Sequence, residues 1–544
     1  MKFKIVIAAI LVFTMVIFSG CSGQSPQTTQ SGELVQNRPS APVKDTIKLL
    51  YSSKDSLDPY TCVTEQNAVL SQFIFEPLLI LNNNYEIEYR LAESVTVSNN
   101  VCTITIKTAK FSDGSLVTPE DVVFSFNKAK ASKTTRHSNA LKYAKSASVT
   151  SNKTVQIALS RNDLYFANLL TFPIIKKGSD QLKDSDNRAL PPIGAGRYYF
   201  NVKDDNLLQN ANYYGKHFAI KTINTVDCPD NESVRQSITA GMVDLYFTDL
   251  LDNVIPKMNG TAADVSQTRM VFLGVNPKNP QLSNSLFRQA ISTAIDRKTI
   301  CTNSYFLKAT PALGPVPSNW KPADNLLSIQ DTANVQIASD NIELAGYTEK
   351  DKNGFYKLKN GNTLNLSLLV NSGNESRTAA AKLIAENAAA AGLKITVNAV
   401  SDATYRARLK SGSYDLYLGE IRFEENMDIG GLVYLNSANV LLNGGGSVNT
   451  TNTTSKKPTS SNASQNSTGD TLQKPGEITL TSLNAYKGYY NGKYTLQDLI
   501  TAFTAELPVI PICFRSGLVI YSKSLGAGLT PTRTELFHGI QYTK

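Results

Sequence analysis

Histidine and cysteine, two residue types that commonly build catalytic and metal sites, are scarce in this sequence. Its 544 residues include three histidines, His137, His217 and His538, which lie far apart. No His-Glu-x-x-His, Gly-x-Ser-x-Gly or Walker phosphate-binding motif occurs, which argues against metalloproteases, serine hydrolases and P-loop nucleotide hydrolases. The six cysteines form no Cys-x-x-Cys pair, so the ligand spacing of a metal site is also missing. These absences favour a protein that binds a ligand without reacting with it and that needs no cofactor or metal.

Two short matches to enzyme motifs do not change this interpretation. Gly194-Ala-Gly196 begins like a dinucleotide-binding loop, but Tyr199 stands where the third glycine is needed. Ser318-Asn-Trp-Lys321 followed by Ser339-Asp-Asn341 matches part of the penicillin-binding-protein set, but the Lys-Thr-Gly element is absent. We therefore predict no catalytic residue.

Long apolar runs are equally scarce, and the one that occurs lies at the amino terminus. Ile5–Phe18 is apolar over fourteen residues, which is short for a membrane span of about 20 residues. The sequence Phe18-Ser-Gly-Cys21 then resembles a lipobox, in which the cysteine is acylated. This pattern predicts a lipoprotein signal peptide at residues 1–20 and a lipid anchor on Cys21. The alternative is an ordinary signal peptide in which Cys21 is incidental.

Two segments differ in composition from the rest of the chain, one directly after this signal and one at residues 444–474. Residues 21–45 are rich in Ser, Gln, Thr and Pro, which predicts a flexible tether. Residues 444–474 are dominated by Asn, Thr and Ser and predict a disordered insertion. The formal charge of +9 is spread over the whole length, whereas nucleic-acid binding requires a concentrated basic surface. We therefore expect no nucleic-acid partner.

The remaining chain alternates between strand and helix patterns. Thr46–Tyr51 alternates like a strand, and the two alternating runs around Asn99-Asn100 predict a hairpin. Thr118, followed by proline and two acidic residues, predicts a helix start. Leu286–Ile300 predicts one amphipathic helix. Because the body exceeds the size of a single hydrophobic core, we expect an α/β protein of at least two lobes.

Several segments resemble, in order along the chain, the family 5 extracellular solute-binding proteins, which include dipeptide-, oligopeptide- and nickel-binding members. Single segments are weak indicators, but their common order is specific. The segments are Leu57-Asp-Pro-Tyr60, Phe75-Glu-Pro-Leu78, Leu91-Ala-Glu93, Phe111 to Phe124, Pro192-Ile-Gly-Ala-Gly-Arg-Tyr198, Gly274-Val-Asn276 with Phe287-Arg-Gln-Ala290 and Ala294-Ile-Asp-Arg297, and Tyr414-Asp415.

This resemblance implies a two-lobed, periplasmic-binding-protein-like fold (type II, cluster C) with an extra subdomain on the first lobe. By analogy, the first lobe takes residues 46–275 and 500–544, and the extra subdomain takes residues 82–185. The second lobe takes residues 276–499. Ligand is then held between the lobes, which close around it.

The function implied by the resemblance is solute capture for an ABC importer. The partners are a peptide or another small solute, the permease and ATPase subunits, and the membrane through the lipid anchor. The protein is expected to lie outside the cytoplasm as a monomer. Nickel chelates, sugars and other amphiphilic solutes are alternatives to peptides. A structural or sensory lipoprotein that kept the fold without transport is the alternative function.

Two candidate ligand-binding residues lie in loops that the resemblance places near the cleft. Tyr60 is a candidate for stacking on the ligand or hydrogen bonding to it, and packing beneath its loop is the alternative. Asn276 is a candidate for hydrogen bonding to a ligand backbone.

Three further candidates follow Asp415. Peptide-binding relatives carry Trp and, three residues later, an Asp that pairs with the peptide ammonium, whereas this chain has Ile421 and Glu424. Glu424 retains a carboxylate for an ammonium, and the planar guanidinium of Arg422 suits a carboxylate. Asp428 is the third candidate. A charged surface loop is the alternative for all three.

Overall fold

The computed structural model describes residues 44–434 and 480–542, except for 186, 188, 251–256, 526, 527 and 541. The predicted signal peptide, Cys21, nearly all of the predicted tether and the predicted insertion lie outside these residues. In the described part of the chain, none of the helices has the length and apolarity that a bilayer crossing requires.

Strands form where the sequence alternates or carries short runs rich in β-branched residues. In chain order they are β1 (Thr46–Tyr51), β2 (Glu76–Pro77), β3 (Leu79–Leu81), β4 (Ile87–Tyr89), β5 (Ala92–Ser98), β6 (Val101–Ile106), β7 (Ala144–Ser151), β8 (Thr154–Leu159), β9 (Pro173–Ile174), β10 (Tyr198–Asn201), β11 (Asn206–Gln209), β12 (Thr222–Asp227), β13 (Leu245–Thr248), β14 (Thr261–Val275), β15 (Ala309–Pro311), β16 (Asn365–Asn371), β17 (Lys394–Val400), β18 (Leu416–Arg422) and β19 (Val509–Tyr521).

Helices form between the strands where the apolar period changes to that of a helix. They are α1 (Glu65–Ile74), α2 (Pro119–Ala131), α3 (Thr135–Ser138), α4 (Asn231–Thr239), α5 (Ser285–Ala294), α6 (Arg297–Asn303), α7 (Val335–Leu344), α8 (Glu375–Ala390), α9 (Asp402–Ser411), α10 (Gly430–Val433), α11 (Ser482–Tyr490) and α12 (Leu496–Glu506).

The first sheet has the strand order β1-β12-β11-β10, and β1 and β12 are parallel. Helices α1 and α4 follow β1 and β12, so both begin at the same edge of the sheet. Ligands of open α/β sheets bind at this edge, beyond the carboxyl ends of the strands.

The second sheet is antiparallel, with the order β5-β6-β8-β7. The predicted hairpin is confirmed: Ser98 pairs with Val101, and Asn99 and Asn100 have φ of 50° and 60°. Positive φ at both central residues is the requirement of a type I′ turn, which asparagine tolerates well.

The predicted helix start at Thr118 is also confirmed. Pro119 is the first residue of α2, and the Asp121 carboxylate accepts hydrogen bonds from the Thr118 backbone N–H at 2.8 Å and from its hydroxyl at 2.7 Å. The acidic side chain thus satisfies a donor that a helix amino terminus leaves without a partner.

The third sheet contains β13, β19, β14, β18, β16 and β17 in this order, with β15 beside β19. Its long strands β14 and β19 pair antiparallel. Val265 and Val519 lie in a hydrophobic core with the first two sheets, whereas Leu273 and Ile510 lie in a core with α5 and α8. The two strands therefore connect two bodies whose cores are mostly separate, although Tyr85 of the first part of the chain packs into a core of the second body.

We refer to the body on the first two sheets as the first lobe and to the body on the third sheet as the second lobe. Met270 and Phe514 already belong to a core of the second lobe. Each of the two strands thus passes from the core of the first lobe to that of the second, between residues 265 and 270 on β14 and between residues 519 and 514 on β19. The residue bounds given above for the lobes and for the extra subdomain stay predictions.

The prediction of one helix over Leu286–Ile300 is wrong. The segment forms α5 and α6, with extended backbone at Ile295 (φ −85°, ψ 124°). The Asp296 carboxylate caps α6 by accepting a hydrogen bond from the Thr299 N–H at 2.9 Å. Because aspartate competes with the helix for backbone donors, it favours a new helix start at this point.

Arg297, the last residue of the family segment around α5, has a structural role. It is fully buried and donates to the carbonyls of Pro511, Ser292 and Gln330 at 2.9–3.0 Å. Its guanidinium thereby joins β19 to the turn between α5 and α6.

Candidate ligand-binding cleft

Two cavities meet beside the amino terminus of α1. The larger, of about 1040 Å³, lies between α1, α4 and β13. The smaller, of about 110 Å³, extends from α1 and Pro59 to Arg422 and Glu425 of the second lobe. Glu65 and Phe247 line both cavities. We call this combined space the cleft, because its described walls include residues of both lobes.

The loop after β1 forms one rigid wall of the cleft. The Asp55 carboxylate accepts hydrogen bonds from the backbone N–H groups of Val63 at 3.0 Å and Thr64 at 2.8 Å. The buried Asn67 amide donates to the carbonyls of Ser52 and Asp55 at 3.0 and 3.1 Å. These side-chain bonds fix the loop before ligand arrives, which lowers the entropy lost on binding.

On the opposite wall, charged side chains of both signs lie together. Arg422 lines the smaller cavity, and its side chain is 38% exposed. Its Nη2 lies 3.8 Å from Oε1 of the buried Glu425, and the same oxygen accepts from Arg533 Nε at 3.1 Å. Arg533 comes from the carboxyl-terminal segment, so two distant parts of the chain meet here.

Glu424 differs from its charged neighbours. Burial, together with the negative charge of Glu425, raises the pKa of the Glu424 carboxyl to about 7. Arg422 and Lys142 attract this carboxylate and partly offset the rise, but in the described part of the chain neither forms an ion pair with it within 4.0 Å. A half-buried carboxylate of this kind gains by binding a cation. Its charge therefore suits the ammonium group of a ligand, but it is not among the described residues that line the two cavities.

Asp428 is held by groups of the protein itself. Its Oδ2 lies 3.0 Å from Arg161 Nη2 and 3.4 Å from Lys142 Nζ, and its Oδ1 accepts from the Tyr486 hydroxyl at 2.8 Å and the Gly430 N–H at 2.9 Å. Burial opposes the charged form, but Lys142 and Arg161 outweigh it and lower the pKa of Asp428. Both carboxylate oxygens are thus occupied by the protein.

Tyr60 and Asn276 also make structural contacts, and neither is among the described residues that line the two cavities. Tyr60 is 3% exposed and donates its hydroxyl to the Pro173 carbonyl, so it packs beneath its loop. Asn276 donates to the carbonyls of Gly412 and Tyr414 at 3.2 and 2.7 Å. Any contact of either residue with ligand stays a prediction.

Sequence reasoning missed Glu65, Phe247, Glu425 and Arg533 as parts of the cleft. Glu425 is next to a predicted residue, but the others belong to segments hundreds of residues apart. No local pattern marks them, because their proximity depends on how the lobes and the carboxyl-terminal segment pack.

A buried ionic cluster lies at the junction of β14, β18 and β19. Glu420 accepts hydrogen bonds from Arg269 at 2.9 Å, Arg377 at 3.0 Å and Arg515 at 3.4 Å. Burial alone would raise the pKa of Glu420, but the three guanidinium groups lower it to about 2. Arg269 also lies 3.2 Å from Asp249, which lines the larger cavity. The cluster thus connects the cavity wall to the strands that join the lobes.

Among the described residues, no group of three or more His, Cys, Asp or Glu side chains is arranged to hold a metal ion. The arrangement of the cleft is instead that of a binding site, with a fixed loop, a large cavity and charges of both signs.

Sequence comparison identifies relatives along most of the chain. Residues 86–438 match the model of the bacterial extracellular solute-binding proteins, family 5. The oligopeptide-binding protein AppA of Bacillus subtilis is 22% identical, over 73% of this chain and 76% of its own. The heme-binding protein A of Haemophilus influenzae is 25% identical, over 64% of this chain and 68% of its own length.

Solved structures share the fold. An ABC transporter substrate-binding protein from Sinorhizobium meliloti superposes with a TM-score of 0.65 at 16% identity, covering 92% of this chain and 99% of its own. A putative peptide-binding protein AppA from Clostridium difficile gives a TM-score of 0.60 at 16% identity, covering 91% and 98%. The predicted two-lobed, periplasmic-binding-protein-like fold is confirmed. The chain belongs to family 5 of the bacterial extracellular solute-binding proteins of ABC importers, and it binds solute instead of acting as an enzyme.

Proposed function

We propose that this protein is a lipid-anchored, extracytoplasmic component of an ABC importer that captures peptides or similar small solutes between its lobes. The observation that carries the proposal is the Glu424 carboxylate. It is half-buried, its pKa is raised to about 7 by burial and by Glu425, and the nearby charges of Arg422 and Lys142 offset this rise only in part. An ammonium group is the natural complement of such a carboxylate.

The neighbouring charges favour a ligand that is itself zwitterionic. Arg422 lies two residues before Glu424 and lines the smaller cavity, and its planar guanidinium suits a carboxylate. A peptide carries both an ammonium and a carboxylate group, whereas a neutral sugar carries neither. Relatives named oligopeptide-binding and glutathione-binding proteins support this ligand class.

The ligand class is tested first by identifying the solute that accompanies the protein through purification, using mass spectrometry after denaturation. Ligand-free protein is then tested by thermal shift against a peptide mixture, free amino acids, sugars and nickel chelates. A ligand at 100 times its Kd stabilises the folded state by about 2.7 kcal/mol. Stabilisation by peptides supports the proposal. Stabilisation by sugars alone contradicts the ligand class, and no response to any solute favours a structural or sensory lipoprotein.

The anchor proposal depends on Cys21, which follows the small residues Ser19 and Gly20 at the end of an apolar run. Acylation there would retain the protein at the membrane, where as a monomer it would deliver solute to the permease, which works with the ATPase subunits. Cys21→Ser should release the protein from the membrane fraction into the medium or periplasm. A membrane-bound Cys21→Ser variant would contradict the anchor without affecting the ligand proposal.

A further inference from the structure

The guanidinium of Arg161 occupies a cage of aromatic and acidic side chains. Its central carbon lies 3.5 Å from the ring centroid of Tyr143 and 3.4 Å from that of Tyr490. Its Nη2 donates to Asp428 at 3.0 Å, and its Nη1 donates to the Tyr486 hydroxyl at 2.9 Å. Stacking on two rings and bonding to a carboxylate together form a strong site for a planar cation. We call this set of five residues the Arg161 contact.

The Arg161 contact joins the two lobes. Tyr143 and Arg161 lie next to β7 and β8 of the second sheet, whereas Asp428 follows β18 and the other two tyrosines belong to α11 of the second lobe. A second pair of bonds supports the same junction: the Asn162 N–H donates to the Tyr490 carbonyl at 3.1 Å, and Asn426 donates to Asp163 at 2.7 Å. None of the five residues is among those described as lining the two cavities of the cleft.

We propose that Arg161 holds the two lobes together and thereby determines solute affinity without touching the solute. The inference builds on the proposed capture of solute between closing lobes. In such a protein, the apparent affinity is the intrinsic affinity multiplied by the fraction of molecules that are competent to bind. Interlobe contacts that need no solute raise the closed fraction at every solute concentration.

The size of the effect follows from the bonds that are lost. Arg161→Ala removes the two hydrogen bonds to the second lobe, a third to Asp163 and both ring contacts, and it leaves Asp428 with Lys142 as its remaining cation. Losing one charged hydrogen bond lowers an equilibrium constant about 10- to 100-fold. We expect the ratio of closed to open molecules to fall by about this factor.

The test measures the distance between the lobes in solute-free protein. Spin labels are attached at Glu120→Cys on α2 and Lys410→Cys on α9, both exposed positions. The described native cysteines are all buried, so labels are directed to the introduced sites. Arg161→Ala and, as a second variant, Tyr486→Phe, which loses the hydroxyl that accepts from Arg161 across the junction, are compared with Arg406→Ala. Arg406 is 41% exposed and pairs with Asp402 within α9, which makes it a matched control.

Both variants of the Arg161 contact should shift the distribution of distances between the two spin labels towards longer values, and the Arg406→Ala control should not. Methylguanidinium should reverse the shift in Arg161→Ala by occupying the vacated cage, and it should fail to do so when Asp428→Asn is added. Unchanged distances in both variants of the Arg161 contact, or a shift that methylguanidinium does not reverse, would overturn the proposal. Because no solute is added, this result is independent of the peptide proposal.

Discussion

Removing the charge of Glu420 tests whether the buried ionic cluster stabilises the junction between the lobes. Glu420→Gln preserves the size of the side chain but leaves the guanidinium groups of Arg269, Arg377 and Arg515 without the carboxylate that they share. Arg377 and Arg515 are less than a tenth exposed, so water does not replace the lost partner. Breaking a buried ion pair by removing one member is strongly destabilising.

The magnitude follows from the pKa of Glu420. Burial opposes ionisation, yet the three arginines lower the pKa from 4.5 to about 2. This difference corresponds to about 3 kcal/mol in favour of the folded state at neutral pH. Because the folded-state pKa is lowered, the stabilisation is fully present above pH 4.5 and is lost as the pH falls towards 2. The glutamine amide adds a cost, since its NH₂ group faces other donors. We expect Glu420→Gln to lose about 3–4 kcal/mol at pH 7.

Trp320, the single tryptophan of the chain, provides the assay. It is 2% exposed and shares a hydrophobic core with Met270 and Phe514, the neighbours of Arg269 and Arg515 in the chain. Its fluorescence therefore reports urea unfolding of the second lobe around the cluster. Glu386→Gln, at an exposed position of α8, is the control. Equal unfolding free energies for Glu420→Gln and the wild type, or a difference that persists unchanged to pH 2, would refute the reasoning.

Three further predictions concern single residues. Glu424→Gln should weaken peptide binding, measured by calorimetry, by about 1.5–3 kcal/mol. The pKa of Glu424 is about 7, and a ligand ammonium binds its charged form. The peptide affinity of the wild type should therefore rise from pH 6 to pH 7.5, whereas that of the variant should not. Arg297→Lys should cost about 1–3 kcal/mol in urea unfolding, because lysine has too few donors for the carbonyls that Arg297 satisfies. Gly274→Ala should cost about 1–3 kcal/mol in the same assay, since its Cβ would lie 1.9 Å from the Tyr417 ring. Unchanged affinity or unfolding midpoints would contradict each prediction.

Much of the local structure was predictable because it depends on residues close together in the chain. The Asn99-Asn100 turn and the Thr118 helix start each require particular residue types at fixed spacings, and both are present as predicted. The helix predicted over Leu286–Ile300 failed for a local reason as well. Its apolar period continues through Ile295, but Asp296 forms a cap there, and periodicity alone does not detect the interruption.

The candidate site was only partly predictable, because its contacts join distant segments. Arg422 lines a cavity and Glu424 has the surroundings of a ligand-binding carboxylate, but their roles stay predictions. The residues that complete the cleft, such as Phe247 and Arg533, have no marker in the sequence. Their positions follow from the return of the carboxyl-terminal segment to the first lobe, which only the folded chain defines.

The three acidic residues Glu420, Glu424 and Asp428 show why spacing alone does not assign function. They are four residues apart, yet three arginines lower the pKa of the first to about 2, burial raises that of the second to about 7, and the third pairs with Arg161 across the lobes. Each environment is set by residues from other parts of the chain. A carboxylate already bound to protein cations gains little from a ligand cation, because exchanging one partner for another recovers little free energy. Glu424 is therefore the acid on this segment that has the most to gain from binding an ammonium group.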